Sequence, residues 1–192
     1  MKDKKELTKQ ILLYLGKENA KWLLERTEKE KKLLNGLNLN LKKSYIVYGN
    51  KDILSKFKAH YLAINVKSHC TYGQYYVDEY VNSITSPTKD DYGLNIDQDL
   101  VFIYVHEYSI STIGNTELWI TGVILNKVAN RNRSGLVTII LSEARIPLLD
   151  KSSELEVINL SKVVKMETIQ EAAKEIKLSS SGTSNPSRTM FE

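Results

Sequence analysis

The stretch that decides the fold runs from Asp99 to Pro147 and reads DLVFIYVHEYSISTIGNTELWITGVILNKVANRNRSGLVTIILSEARIP. It contains two apolar runs, Leu100–Val105 and Leu136–Leu141, and the segment Thr116–Ala129 between them has helical spacing. Apolar runs without polar alternation, joined by a helix, are typical of parallel strands that are covered on both faces. The stretch therefore predicts a strand–helix–strand unit within a parallel sheet.

The same pattern extends to both sides of this stretch. Further strands are predicted at 44–48, 69–72 and 154–160, and further helices at 53–65, 74–84 and 167–176. The segment 85–98 is polar and contains Pro and Gly, which predicts a loop. We therefore expect an α/β fold with a five-stranded, mostly parallel sheet flanked by helices.

The amino-terminal region predicts a helical arm over residues 1–36. Its apolar residues form two groups that are separated by Gly16, and Gly36 follows the second group, as expected at helix ends. The arm is rich in Lys and Glu, which fits either a solvated face with local ion pairs or a module that binds a partner. The α/β core is predicted over 44–177 and a flexible Ser- and Gly-rich tail over 178–192.

Composition narrows the class of protein. The chain has 192 residues, a net charge of +4 and 42% hydrophobic residues, which is ordinary for a globular domain. Cys70 is the one cysteine, so no internal disulfide can form. The amino terminus lacks the apolar core of a signal peptide, and no apolar run approaches the roughly 20 residues that span a bilayer. We expect a cytoplasmic protein without a membrane partner, and the spacing of His and Cys predicts no metal site.

The segment YIVYG-NKDILSKFKAHYLA places a turn between a strand and a helix, as in phosphate-binding loops of the Gly-x-x-x-x-Gly-Lys-Ser/Thr type. Gly49 occupies the first position of that motif. Leu54 stands at the second glycine, Ser55 at the lysine and Lys56 at the hydroxyl position. The segment thus predicts either a plain strand–turn–helix connection or an altered nucleotide site at Gly49, Ser55 and Lys56.

Other candidates for contact with phosphate follow the later strands. Glu107 comes after the strand that ends at Val105, where a carboxylate could orient a water molecule. Ser142 and Arg145 follow the next strand, at the sheet edge where ligands bind in open α/β sheets. Arg131 and Arg133 end the intervening helix and could contact a neighbouring subunit's phosphates or a nucleic-acid backbone, or simply lie in solvent.

These features resemble the AAA+ ATPase core of bacterial and phage replicative-helicase loaders and related transposition helper ATPases. The resemblance covers residues 44–160, and the matching residues are Tyr48, Gly49, Leu62, Ala63, Asp99, Leu100, Glu117, Trp119, Arg131, Arg133, Thr138 and Ser142. It implies a P-loop-NTPase-like sheet and, as cofactor, ATP with magnesium. The second glycine and the lysine of the loop depart from the family pattern, as does the acidic residue that His106 replaces.

The resemblance implies a DNA-replication accessory protein, a helicase-loader-like pseudo-ATPase of a phage or mobile element. Its implied partners are a replicative helicase or its loader and single-stranded DNA, with homo-oligomers as a further option. One alternative is an ATPase with an unorthodox site built from Lys56, Glu107 and Arg145. The other is a protein–protein inhibitor or scaffold that binds no nucleic acid.

Overall fold

The computed structural model describes residues 2–65, 71–85, 98–105 and 114–161. The helices are α1 (Lys2–Leu24), α2 (Glu28–Asn35), α3 (Lys51–Asn65), α4 (Val77–Thr85), α5 (Gly114–Arg133) and α6 (Pro147–Asp150). The strands are β1 (Tyr45–Tyr48), β2 (Tyr72–Tyr76), β3 (Leu100–Val105), β4 (Val137–Ser142) and β5 (Glu156–Asn159).

The five strands form one sheet in the order β2-β3-β4-β1-β5, and every pair of neighbours is parallel. Tyr45 at the start of β1 lies between Ile139 and Glu156, and Leu100 at the start of β3 lies between Tyr72 and Val137. The prediction of an α/β fold with a five-stranded sheet flanked by helices is confirmed. The apolar strands are buried on both faces, as their lack of alternation indicated.

Helices cover the two faces of the sheet in two groups. On one face, residues of α1, α2 and α3, including Leu15, Leu34 and Phe57, pack against the sheet. On the other face, residues of α4, α5 and α6, including Tyr80 and Ile124, form a second core. Because Leu15 and Leu34 are fully buried, the predicted amino-terminal arm completes one face of the sheet.

The order of the strands creates a crevice at their carboxyl ends. The helix after β1 lies on one face, and the helix after β4 lies on the other. These two strands are neighbours, so the chain leaves their carboxyl ends toward opposite sides of the sheet. Such a reversal is the topological switch point at which open α/β sheets bind ligands.

Element boundaries differ from the prediction at β2. The strand was expected at 69–72 and the next helix from residue 74, whereas β2 spans Tyr72–Tyr76 and α4 begins at Val77. The Tyr-rich segment pairs with β3 because aromatic side chains suit a pleated, half-buried surface. The predicted helix at 167–176 and the predicted tail at 178–192 lie outside the described residues.

The amino-terminal helices break where glycine and threonine require it. Gly16 interrupts α1 with a φ of 70°, a conformation that other residues adopt rarely, and this confirms the predicted break. A second break was not predicted. Thr27 caps α2: its hydroxyl oxygen accepts the backbone N–H of Glu30, and the Glu30 carboxylate accepts the backbone N–H of Thr27. Gly36 follows α2 as predicted.

A partly buried contact between Arg26 and His60 ties the α1–α2 connection to α3. The Arg26 guanidinium donates to His60 Nδ1 over 3.0 Å. Burial, together with the positive charge of Arg26, lowers the pKa of His60 to about 4. The imidazole is therefore neutral at physiological pH, since a proton on the ring would be buried beside a guanidinium.

This pair predicts a loss of stability in weak acid. The unfolded chain takes up a proton at His60 near its ordinary pKa of 6.5, and the folded chain does so only near 4. The free energy of unfolding should thus fall between these values, by about 1–2 kcal/mol after allowance for solvent screening. Urea denaturation across this pH range, compared with the neutral His60→Gln variant, measures the effect. Parallel pH curves for the two proteins would contradict it.

Candidate functional site

The carboxyl edge of the sheet brings together several of the predicted site residues. Gly49 follows β1, Ser142 ends β4, and Ser55 and Lys56 lie in the first turns of α3 beside them. The backbone N–H of Gly49 donates to the Ser142 carbonyl over 3.3 Å, which joins the two strand ends. Gly49 and Ser142 therefore lie at the switch point at which a ligand is expected.

The connection from β1 to α3 is only two residues long. Gly49 and Asn50 are the entire link, because β1 ends at Tyr48 and α3 begins at Lys51. The Asn50 side-chain oxygen accepts the backbone N–H of Ile53 over 2.9 Å, and the Asn50 carbonyl accepts that of Leu54 over 3.0 Å. Asn50 thus caps the amino terminus of α3 and occupies the Ile53 N–H, one of the donors that could otherwise bind an anion.

The motif positions consequently lie inside a helix. Leu54, Ser55 and Lys56 have helical backbone, so their N–H groups point along α3 and do not wrap around a phosphate. Gly49 is required for packing, because a Cβ at this position would lie 2.6 Å from the Ile53 Cγ2 atom. The Ser55 hydroxyl donates to the Lys51 carbonyl over 2.9 Å. Of the two readings of this segment, the geometry favours the plain strand–turn–helix connection.

Lys56 is held by two carboxylates. Its ammonium lies 2.8 Å from Glu30 Oε1 and 2.7 Å from Asp52 Oδ2. Burial alone would lower the pKa of Lys56, but the bonds to Asp52 and Glu30 outweigh it, and the pKa is raised. Lys56 therefore links α2 to α3 as a charged, paired group.

Ser142 and Arg145 also have partners within the protein. The Ser142 hydroxyl donates to the Ala144 carbonyl over 2.6 Å. Arg145 forms an ion pair with Asp150, whose other oxygen accepts the Tyr48 hydroxyl over 2.6 Å. Burial, and then the bond to Asp150, raise the pKa of Tyr48. This network connects the end of β1 to α6, although the Arg145 side chain stays 63% exposed.

Arg131 and Arg133 lie at the opposite, amino edge of the sheet. The Arg131 guanidinium is buried and donates to three groups at the starts of β3 and β4, which are the Thr138 hydroxyl, the Gln98 carbonyl and the Val137 carbonyl. Arg133 is exposed and contacts Asn130. Arg131 contacts Val137 at the start of β4, and the length of that strand places this end about 17 Å from Ser142. The structure thus does not bring the two predicted groups together, and Glu107 lies outside the described residues.

A cavity that the sequence did not reveal opens beside the carboxyl edge of the sheet. Its volume is about 190 Å³, and its walls come from α1, α3 and the carboxyl ends of β2, β3 and β4. Lys58 lies in its wall with only 3% of its surface exposed, and its ammonium donates to Gln74 Oε1 over 2.9 Å. The same ammonium lies 5.4 Å from the centre of the Tyr104 ring. One signal was present in the sequence, since α3 alternates Lys56, Lys58 and His60 with apolar residues.

The described part of the chain offers few other sites, and comparison with known proteins adds no relative. No group of three His, Cys, Asp or Glu side chains in the described ranges could hold a metal ion. None of the described helices has the length and apolar character needed to cross a bilayer. No protein-family model matches the chain, and no curated protein matches it.

The environment of Arg131 predicts how its variants behave. Replacing Arg131 with Lys keeps the charge but removes the fork that holds Thr138, Gln98 and Val137, so the free energy of unfolding should drop by about 2–4 kcal/mol. Arg133→Ala is the matched control and should change it by less than about 0.5 kcal/mol. Urea denaturation of both variants measures the difference. Equal stability of the two would show that Arg131 does not hold the sheet.

Proposed function

We propose that this chain is an accessory protein of DNA replication, of the helicase-loader type, whose α/β core serves assembly and does not hydrolyse ATP. The observation that carries the proposal is the two-residue connection of Gly49 and Asn50. The sheet places this connection at the switch point, where the resembling ATPases are expected to bind nucleotide. The short link leaves no backbone loop for a triphosphate, so the fold is retained for contact with other macromolecules.

The alternative of an unorthodox ATPase receives less support from the contacts. Lys56 is paired with Glu30 and Asp52, and Arg145 is paired with Asp150. Each of these cations would have to leave its carboxylate before it could bind a phosphate. A protein that acts by binding requires no such rearrangement.

The exposed side of α1 supports a partner-binding role. Leu13 and Leu24 each have 74% of their surface exposed, and together with Ala20 they line a shallow groove. Three lysines and one glutamate border this groove, namely Lys9, Lys17, Lys21 and Glu25. The border of this apolar strip has a net positive charge, which matches the acidic, amphipathic helix of a partner. A second copy of the same strip would oppose one net positive border to another.

The proposed main partner of the protein is the replicative helicase, and single-stranded DNA is a second proposed partner. Arg133 is exposed at the amino edge, where it donates to the neutral Asn130 side chain and forms no ion pair with a carboxylate of the described residues. Contact of such a group with DNA would appear as an affinity that falls steeply with salt. A scaffold or inhibitor without DNA binding would keep the α1 contact and show no such dependence.

The test is capture of the replicative helicase from the same source by the purified chain. Leu13→Asp places a charge in the centre of the groove and should weaken capture at least about tenfold, since a desolvated carboxylate opposes an apolar contact. The control is Val157→Asp on the edge strand β5, where an equally apolar residue is 44% exposed. Capture by the control should match that of the unaltered chain.

Two results would contradict the proposal. The first is an unaltered chain that captures no helicase at concentrations where loaders bind. The second is equal capture by the Leu13→Asp and Val157→Asp variants, which would remove the α1 groove from the contact. Far-ultraviolet circular dichroism on each variant confirms that the fold is intact before binding is compared.

A further inference from the structure

Lys58 carries a buried positive charge next to an empty volume. Its side chain reaches from α3 to β2 and β3, and its hydrogen-bond acceptor among the described residues is the neutral amide of Gln74. No described carboxylate lies within ion-pair distance of it, in contrast to Lys56 two positions earlier on the helix. The exposed Glu18 carboxylate acts on Lys58 from farther away: burial lowers the pKa of Lys58, and the charge of Glu18 offsets only part of that effect. A buried ammonium that no carboxylate contacts directly is costly, and an anion bound against it in the cavity would reduce that cost.

The walls of the cavity indicate the size and the apolar character of a ligand that would fit. Leu54, Val105 and Leu141 provide apolar surface, and the rings of Tyr76 and Tyr104 lie 6.2 Å apart on one side. Tyr76 is half exposed, so one of these rings stands at the opening. A volume of about 190 Å³ is smaller than the pockets that hold drug-sized molecules, and it suits a single small ring or a branched chain.

The charged residues that line the cavity limit how many negative charges a ligand can carry. Glu18, Glu79 and Glu143 line the cavity together with Lys51 and Lys58. A ligand with one negative charge can place it against the Lys58 ammonium and leave the carboxylates in water. A polyphosphate would bring several charges close to three carboxylates, which opposes its binding.

We propose that this cavity binds a small organic monocarboxylate, with the acid group against the Lys58 ammonium and an apolar or aromatic body against Tyr76, Tyr104 and Leu54. The ammonium has donors beyond the one given to Gln74, and a charge-assisted bond to a carboxylate in a buried site is stronger than one to a neutral amide. This site is separate from the α1 groove and does not depend on the proposed role in replication. A negative result for the anion site therefore does not affect the proposed helicase contact, and a negative result for that contact does not affect the anion site.

Phenylacetate and its neutral analogue phenylacetamide are the probes, because they differ in charge and share the ring. In a nitrogen–proton NMR titration of the full chain, phenylacetate should produce saturable shifts at the Tyr76 amide and the Gln74 side chain. Phenylacetamide should bind at least about tenfold more weakly, as expected for loss of a charge-assisted bond. Equal affinity of the two probes, or no saturable shift with phenylacetate, would overturn the proposal.

Two variants identify the group that binds. Lys58→Met keeps the length of the side chain and removes a buried charge that no carboxylate contacts directly, so it should keep or raise the melting temperature. Phenylacetate binding should fall about tenfold or more. Lys32→Met, at an exposed position of α2, is the matched control and should bind as the unaltered chain does. A Lys58→Met variant that binds phenylacetate normally would overturn the proposal.

Gln74→Glu tests the role of Lys58 if the Lys58→Met variant does not fold. This substitution places a carboxylate where the amide now accepts the Lys58 ammonium, which gives that ammonium an internal counter-ion. Phenylacetate should then lose its binding site although the lysine is still present. Unchanged binding to this variant would show that Lys58 is not the anchoring group.

Discussion

The connection between β1 and α3 constrains the whole carboxyl edge of the sheet. Gly49 allows α3 to begin within two residues of the strand, and Asn50 caps the helix with both its side chain and its carbonyl. With the helix held so close, the first turn of α3 packs onto the sheet, and its polar residues need partners inside the protein. The other contacts of this edge follow from that requirement.

Most polar residues that suggested chemistry have structural partners. Lys56 joins α2 to α3 through Glu30, whose carboxylate also closes the capping box with Thr27. Arg131 ties the end of α5 to the starts of β3 and β4 at the opposite edge. Lys58 differs from these residues because its partners are a neutral amide and a ring, and because it borders a cavity.

The sequence predicted the elements better than it predicted the contacts. Apolar runs located β1, β3 and β4, and Gly16 and Gly36 marked helix ends, because these signals are local. The site depended on pairs distant in sequence. Nothing near Lys56 indicates Glu30, and nothing near Arg131 indicates that its side chain turns back to Thr138. The sequence also placed Gln74 in a helix, whereas it lies in β2, so its contact with Lys58 was not predicted.

The most direct test of the account is a calorimetric titration of the full chain with ATP and magnesium. We expect no saturable heat, because Asn50 engages the Ile53 N–H at the start of α3, and Lys56 and Arg145 are paired with carboxylates. Measuring at several temperatures guards against a binding enthalpy that happens to be near zero. Saturable binding with micromolar affinity would contradict the account, since it would require the β1–α3 connection to open around a triphosphate.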